Sequence, residues 1–251
     1  MSGVAQPFRS AHAPATLRRS LDLFSAFRLE QTRPDVFYSA LARDAVEQIG
    51  AYSALEGATV LDVGAGPGWF RRAFEEAGAR YLSIDADAGE MSAAALPQDA
   101  SVLGDAMSLP FATGSVDVVF SSNVLEHVPE PERMADEMLR VAKPGGLVFL
   151  SYTLWYSPWG GHETSPWHYL GGDRAAQRYT RTHGHPPKNV YGESLYPLTA
   201  GRMLRWSRRV TGADVLAAIP RYHPWWAQWV MRVPGVRELA SWNLLLVLRR
   251  R

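Results

Sequence analysis

Cysteine is missing from all 251 residues, which excludes disulfides, thiolate zinc centres and cysteine nucleophiles and fits a reducing compartment. Long apolar runs are missing as well. None approaches the roughly 18 residues needed to span a bilayer, and the opening MSGVAQPFRSAHAPATLRRS holds no apolar segment of a signal peptide. A soluble, cytoplasmic protein is expected. Charge of one sign is in no excess: 26 Lys and Arg against 25 Asp and Glu leave a net charge of +1. No bulk attraction therefore draws the chain to nucleic acid, and no nucleic-acid partner is expected. Repeats and low-complexity tracts are absent beyond residues 1–15, whose Ala, Ser and Pro predict a flexible tail. What the chain does have is core material, with 47% hydrophobic and 11% aromatic residues, enough for a single packed domain over 16–251.

Leu17, Leu21, Phe24 and Arg28 recur at helical spacing and Pro34 interrupts them, predicting a helical cover over 16–57. From residue 58 the period alternates. TVLDV (59–63) and YLSID (81–85) are apolar runs that end in an acid, with an amphipathic helix over 66–78 between them. Asp87, followed three positions later by Glu90, predicts a capped helix start. ASVLGD (100–105), VDVVFSSN (116–123) and GLVFLSY (146–152) read as further strands, and PERMADEMLRVA (131–142) as the helix between the last two. Strands and helices alternating at this spacing imply a parallel sheet covered on both faces. Over 153–197 the pattern gives way to Gly, Pro, His, Trp and Tyr, with one short helix predicted over 173–181. A stretch of that length inside a domain is usually functional, and its aromatic content argues that it is ordered. Thr199 then caps a helix, and 213–220 and 243–250 read as the last two strands.

The strongest local signal is Asp62-Val63-Gly64-Ala65-Gly66-Pro67-Gly68, where the first strand turns into the first helix. Glycines let the backbone turn tightly and approach a ligand closely, and a helix start offers free N–H groups to an anion. Asp85 ends the second strand, where an acid can accept hydrogen bonds from both hydroxyls of a ribose, and Asp105 ends the third. Acids at three successive strand ends point at one crevice, although each is also suited to capping the turn that follows.

DVGAGPG, the acid at Asp85, GDAMSLPF (104–111), SVDVVFSSNVLEHV (115–128) and LRVAKPGGLVFL (139–150) together resemble the successive motifs of the class I S-adenosylmethionine (SAM)-dependent methyltransferases of small-molecule type. The stretch beyond 152 resembles uncharacterised methyltransferases of mycobacteria and related actinobacteria. The resemblance implies an α/β fold with a Rossmann-like, seven-stranded, mostly parallel sheet whose last strand is antiparallel. It makes 58–152 the SAM-binding core, 153–197 a substrate or lid insertion and 198–251 a closing helix and two strands. It implies SAM as cofactor, with S-adenosylhomocysteine as product. By the same resemblance the loop of Gly64, Ala65, Gly66 and Gly68 holds the methionine end, Asp85 the ribose, Asp105 and Ala106 the adenine, Asn123 lies beside the sulfonium, and Asp62 and Ala86 count among the cofactor-binding residues. The GxGxG spacing and Asp105 favour SAM over a dinucleotide.

A sulfonium already activates its methyl group, so the protein must align a nucleophile and, where needed, remove its proton. Histidine suits that task near neutrality. His127 follows the fourth strand, and four of the seven histidines cluster between 162 and 185. His127, His162 and His168 are the expected bases, and a hydroxyl the expected acceptor. Methylation at carbon or nitrogen, and a non-catalytic SAM binder, stand as alternatives. Some quinone-biosynthesis and small-RNA methyltransferases hold magnesium with an E-x-x-E-H cluster. Here Asn123 stands in place of its first acid, with His162-Glu163 as a conceivable completion, and no metal is expected. Trp225, Trp226 and Trp229 pack on the sheet, form an oligomer contact or touch a lipid surface. The Arg-rich RMLRWSRR (202–209) reads as a solvated helix face.

Overall fold

The computed structural model describes residues 15–94, 96 and 99–251. The tail expected over 1–15 lies outside the described residues apart from Ala15. Two helices open the fold, α1 (Leu17–Phe27) and α2 (Pro34–Gly50). Thr16 caps α1 by accepting from the Arg19 amide, and Pro34 sits in the first turn of α2, where its missing N–H costs nothing.

The sheet follows: β1 (Thr59–Val63), β2 (Arg80–Asp85), β3 (Ser101–Leu103), β4 (Val116–Ser122), β5 (Ala142–Thr153), β6 (Ala213–Pro220) and β7 (Asn243–Arg250). Its seven strands run in the order β3-β2-β1-β4-β5-β7-β6. β7 is antiparallel to both of its neighbours, and the pairings from β3 to β5 are parallel. From β1 the chain steps outward to β3, then returns to place β4 on the other side of β1. That reversal opens a crevice beyond the carboxyl ends of β1 and β4, where ligands of such sheets bind.

Alternate side chains of the central strands feed two cores, because successive residues of a strand face opposite sides. Val60, Val118, Phe120 and Phe149 pack towards α2 and α3 (Arg71–Glu76), with Leu41, Ile49 and Phe74. Leu61, Val119, Val148 and Leu150 pack towards α5 (Pro131–Val141) and α7 (Ala200–Arg209), with Met134, Met138 and Met203. Both faces are covered, so β4 is buried almost throughout.

Several elements differ from expectation for physical reasons. The helix expected over 66–78 is only α3, since Gly66 and Gly68 take φ of 52° and 86°, which no right-handed helix accommodates. The strand expected over 100–105 stops at Leu103, because Asp105 folds into a turn held by its side chain and carbonyl. Asp87 does cap α4 (Ala88–Ser92), accepting from Gly89 and Glu90. The segment over 153–197 carries short 3₁₀ turns at His162–Thr164 and Trp167–Leu170, then α6 (Gly172–His183). Another 3₁₀ segment, Trp225–Arg232, and α8 (Val236–Ala240) lie between β6 and β7. Ala227, Val230 and Met231 are its buried residues, whereas Trp225, Trp226 and Trp229 are 66%, 55% and 53% exposed. The three indoles do not pack on the sheet. Among the described residues no helix is long and apolar enough to cross a membrane.

Candidate functional site

Over the carboxyl ends of β1 to β5 lies a cavity of about 1540 Å³. One end of it is mostly backbone. β1 turns through Gly64 and Gly66, both at positive φ, and the Gly64 and Ala65 amides donate to Ile84 at 2.8 and 3.3 Å. A Cβ on Gly64 would lie 2.4 Å from the Val124 methyls, so only glycine lets the loops after β1 and β4 pass each other. A Cβ on Gly66 would meet no protein atom within 4 Å, which leaves open space beside this stretch of backbone. Asp85 ends β2 with one carboxylate oxygen accepting from Gly66 at 2.7 Å and the other from Asp87 at 3.0 Å. This acid therefore shapes the glycine loop as well as facing the cavity.

Gly64, Ala65, Gly66, Asp85, Ala86, Asp105, Ala106 and Asn123 all line this cavity. Two residues expected with them do not. Gly68 supplies the turn into α3, its amide bonded to Ala65. Asp62 is 1% exposed beneath the loop and accepts from the Tyr81 hydroxyl at 2.6 Å. Burial, opposed by that bond and reinforced by the Asp85 charge, pushes its carboxyl up to about 7. Its position makes it a support of the loop. Asn123, in a left-handed turn at φ 59°, accepts from the Asn243 side-chain amide at 2.6 Å, which ties the end of β4 to the start of β7.

The other end of the cavity is aromatic. Phe24 and Phe27 of α1 meet Trp159 edge-on at 6.0 and 5.4 Å, and Trp242 lies 4.4 Å from Trp159 and 5.3 Å from Phe24. Tyr38 stacks on Trp69 at 5.6 Å and donates to Glu30, whose carboxyl burial holds above its ordinary range. Lys188 closes the rim with a 2.7 Å ion pair to Glu90. The reading of the sequence did not single out these aromatic side chains. They come from α1, α2, the turn into α3, the 153–197 segment and the approach to β7, and each alone looks like ordinary core; only the density of aromatics in 153–197 pointed here.

Between the two ends stand Glu126, His127 and His162. His127 donates through Nδ1 to the Ser194 carbonyl at 2.6 Å, which leaves Nε2 as the unprotonated nitrogen of the neutral ring. Glu126, 1% exposed, accepts the Thr153 amide at 2.9 Å on one oxygen, and its Oε2 has no partner. His162 comes from the insertion at φ 49°, its ring 5.0 Å from that of His127 and its Nε2 buried without a partner. Burial, then the neighbouring His127, push its pKa down to about 4. His127 and His162 line the cavity. His168 is not among the lining residues: it is 1% exposed, packed between Trp155 and Tyr169, and backs the insertion.

Comparison with known proteins agrees with this geometry. A family model described as a methyltransferase domain matches residues 61–150. The chain is 52% identical to an uncharacterised methyltransferase of Mycobacteroides abscessus, over 94% of this chain and 96% of that one. It is 56% identical to another from Mycolicibacterium gilvum, over 94% and 95%. A solved S-adenosylmethionine-dependent methyltransferase from Mesorhizobium loti shares the fold, with a TM-score of 0.56 and 21% identity over 85% of this chain and 98% of that one.

Proposed function

Because the chain belongs to the class I SAM-dependent methyltransferases and uses SAM as its methyl donor, we propose that it methylates a hydroxyl of an apolar small molecule held in the aromatic end of the cavity. The observation that carries this reading is His127, locked by Ser194 with its basic nitrogen between a backbone-lined pocket and an aromatic one. Bound SAM supplies a methyl group activated by its sulfonium. The residues present suit that group: open backbone at Gly66, and carboxylates at Asp85 and Asp105 for hydroxyls and an amine. In this reading Gly64, Ala65 and Gly66 hold the methionine end, Asp85 and Ala86 the ribose, Asp105 and Ala106 the adenine, and Asn123 borders the sulfonium.

The aromatic walls then align the acceptor, and the 153–197 segment screens it from water. His127 Nε2 would take the hydroxyl proton of the aligned acceptor, while bound SAM would supply the methyl group and keep the bonding electron pair on its sulfur. The expected test is a screen of hydroxylated aromatic metabolites and lipid extracts with labelled SAM. His127→Ala should lower turnover about 10²- to 10⁴-fold with S-adenosylhomocysteine affinity unchanged, since general-base catalysis contributes about that much. Full turnover in the variant would move the acceptor to one that needs no base, such as an amine or an activated carbon. A lipid-like acceptor is favoured by one further observation. Trp225, beside the exposed Trp226, donates its amide to Ala15 next to α1, the helix that carries Phe24 and Phe27. Co-sedimentation with vesicles that is lost on replacing the three exposed indoles would support that acceptor class, and no sedimentation by the parent would remove it.

A further inference from the structure

Two buried polar atoms lack partners at one corner of the cavity wall: His162 Nε2, on a residue that lines it, and Glu126 Oε2, on a residue buried behind the lining. A third residue completes the corner: one donor atom from each of Glu126, His127 and His162 lies within 4.8 Å of the others. Leaving a buried carboxylate oxygen and a buried imidazole nitrogen unbonded costs roughly 1–3 kcal/mol each, a cost that proteins seldom carry twice at one place without a ligand. We propose that Glu126, His127 and His162 bind a divalent transition-metal ion.

The donor set favours this class of ion. Two imidazoles and one carboxylate suit zinc, iron(II), cobalt or nickel, whereas magnesium and calcium prefer oxygen alone. His127 has the support typical of a ligand, since its Nδ1–H is held by the Ser194 carbonyl and its Nε2 is free for a metal. Glu126 is held likewise, one oxygen on the Thr153 amide and the other available. Bonds of about 2.0–2.2 Å to such an ion put neighbouring donors roughly 3.0–3.5 Å apart, a spacing that side-chain adjustment can reach from donors already within 4.8 Å of one another. Among the described residues three supply ligands, which leaves positions open to the cavity, the pattern of a catalytic rather than a structural metal site. An ion there would lower the pKa of an acceptor hydroxyl bound to it, the proton passing to solvent water, and loading would take His127 Nε2 out of the proton-accepting role it has in the unloaded chain. The inference does not rest on the proposed reaction, because an ion can bind whatever the acceptor is.

The test uses the untagged full chain, treated with a chelator and titrated with cobalt(II) alone, followed by visible absorption and calorimetry. One equivalent should bind with low-micromolar or tighter affinity. Glu126→Gln and His162→Gln should each weaken it at least about 100-fold while S-adenosylhomocysteine still binds. The exposed pair His183 and His185, with rings 6.2 Å apart on and just after α6, is the rival for adventitious metal, and replacing both with alanine should leave the one equivalent in place. If the corner variants fail to fold, copper(II) resonance spectra of the parent decide, and nitrogen couplings from two imidazoles are expected. No cobalt bound at millimolar concentration overturns the proposal, as does cobalt that is lost with His183 and His185. These readouts use no turnover, so silence in the methylation screen alone would count against the acceptor and not against the metal.

Discussion

At the cofactor end of the cavity the walls are backbone: Gly64 and Gly66 at positive φ, amides aimed at Ile84 and Asp85, and a strand-end acid bracing the loop. At the other end, where the acceptor is proposed to bind, the walls are side chains from three distant parts of the chain, Phe24 and Phe27, Trp159, and Trp242. Backbone walls permit little change, since a single Cβ can abolish them, and they suit a ligand that never varies. Side-chain walls can be re-cut one residue at a time without disturbing the sheet.

The largest expected effect breaks the backbone wall. Gly64→Val places carbon against Val124 and forces a β-branched residue to a φ of 79°. It should cost S-adenosylhomocysteine at least about 1000-fold in affinity, roughly 4 kcal/mol by calorimetry. Parental affinity in a folded variant would mean that the loop is not what holds the ligand.

Next comes Asp62, which separates support from contact. Its folded carboxyl, raised by burial to about 7 against an ordinary 3.8, keeps its proton longer than the unfolded chain does. The stability this contributes is fully present below pH 3.8 and is lost as pH rises through 7. Denaturant titrations should show the parent losing on the order of 2–3 kcal/mol from this group between pH 5 and pH 8. Asp62→Asn, which still accepts from Tyr81, should flatten that slope and bind S-adenosylhomocysteine as the parent does. Loss of ligand affinity instead would return Asp62 to the binding residues.

Asp85→Ala should weaken the same ligand by about 2 kcal/mol, through lost charge-assisted bonds and a loosened Gly66 amide. The smallest effect is on the other wall. Trp242→Ala should raise the KM for a hydrophobic acceptor about tenfold, near 1.4 kcal/mol, with S-adenosylhomocysteine affinity unmoved. Equal damage to both ligands would dissolve the contrast between the two ends.

How much of this was legible beforehand follows the same division. β6 and β7 match their expected bounds to the residue, and β1 does too, because an alternating or continuous apolar run reports directly which faces are buried. The glycine loop and the strand-end acids were legible because their chemistry is local: a turn needs glycine where it turns, and an acid at or within two residues of a strand's end is placed by that strand. The error at Asp62 came from the same rule, since sequence does not say whether a strand's last acid points above the loop or beneath it.

By itself, then, the sequence determined the order of strands and helices, the cofactor class and the edge of the sheet where chemistry happens, since all of these follow from short-range periodicity and turn chemistry. Only the tertiary structure decided that Trp242 faces Phe24 across more than 200 residues, that Trp225, Trp226 and Trp229 look outward, that His168 stands behind the cavity wall, and that Glu126, His127 and His162 share a corner. Those placements depend on how a loop and two terminal elements pack over a finished sheet, and long-range packing leaves no period in the chain for a reader to find.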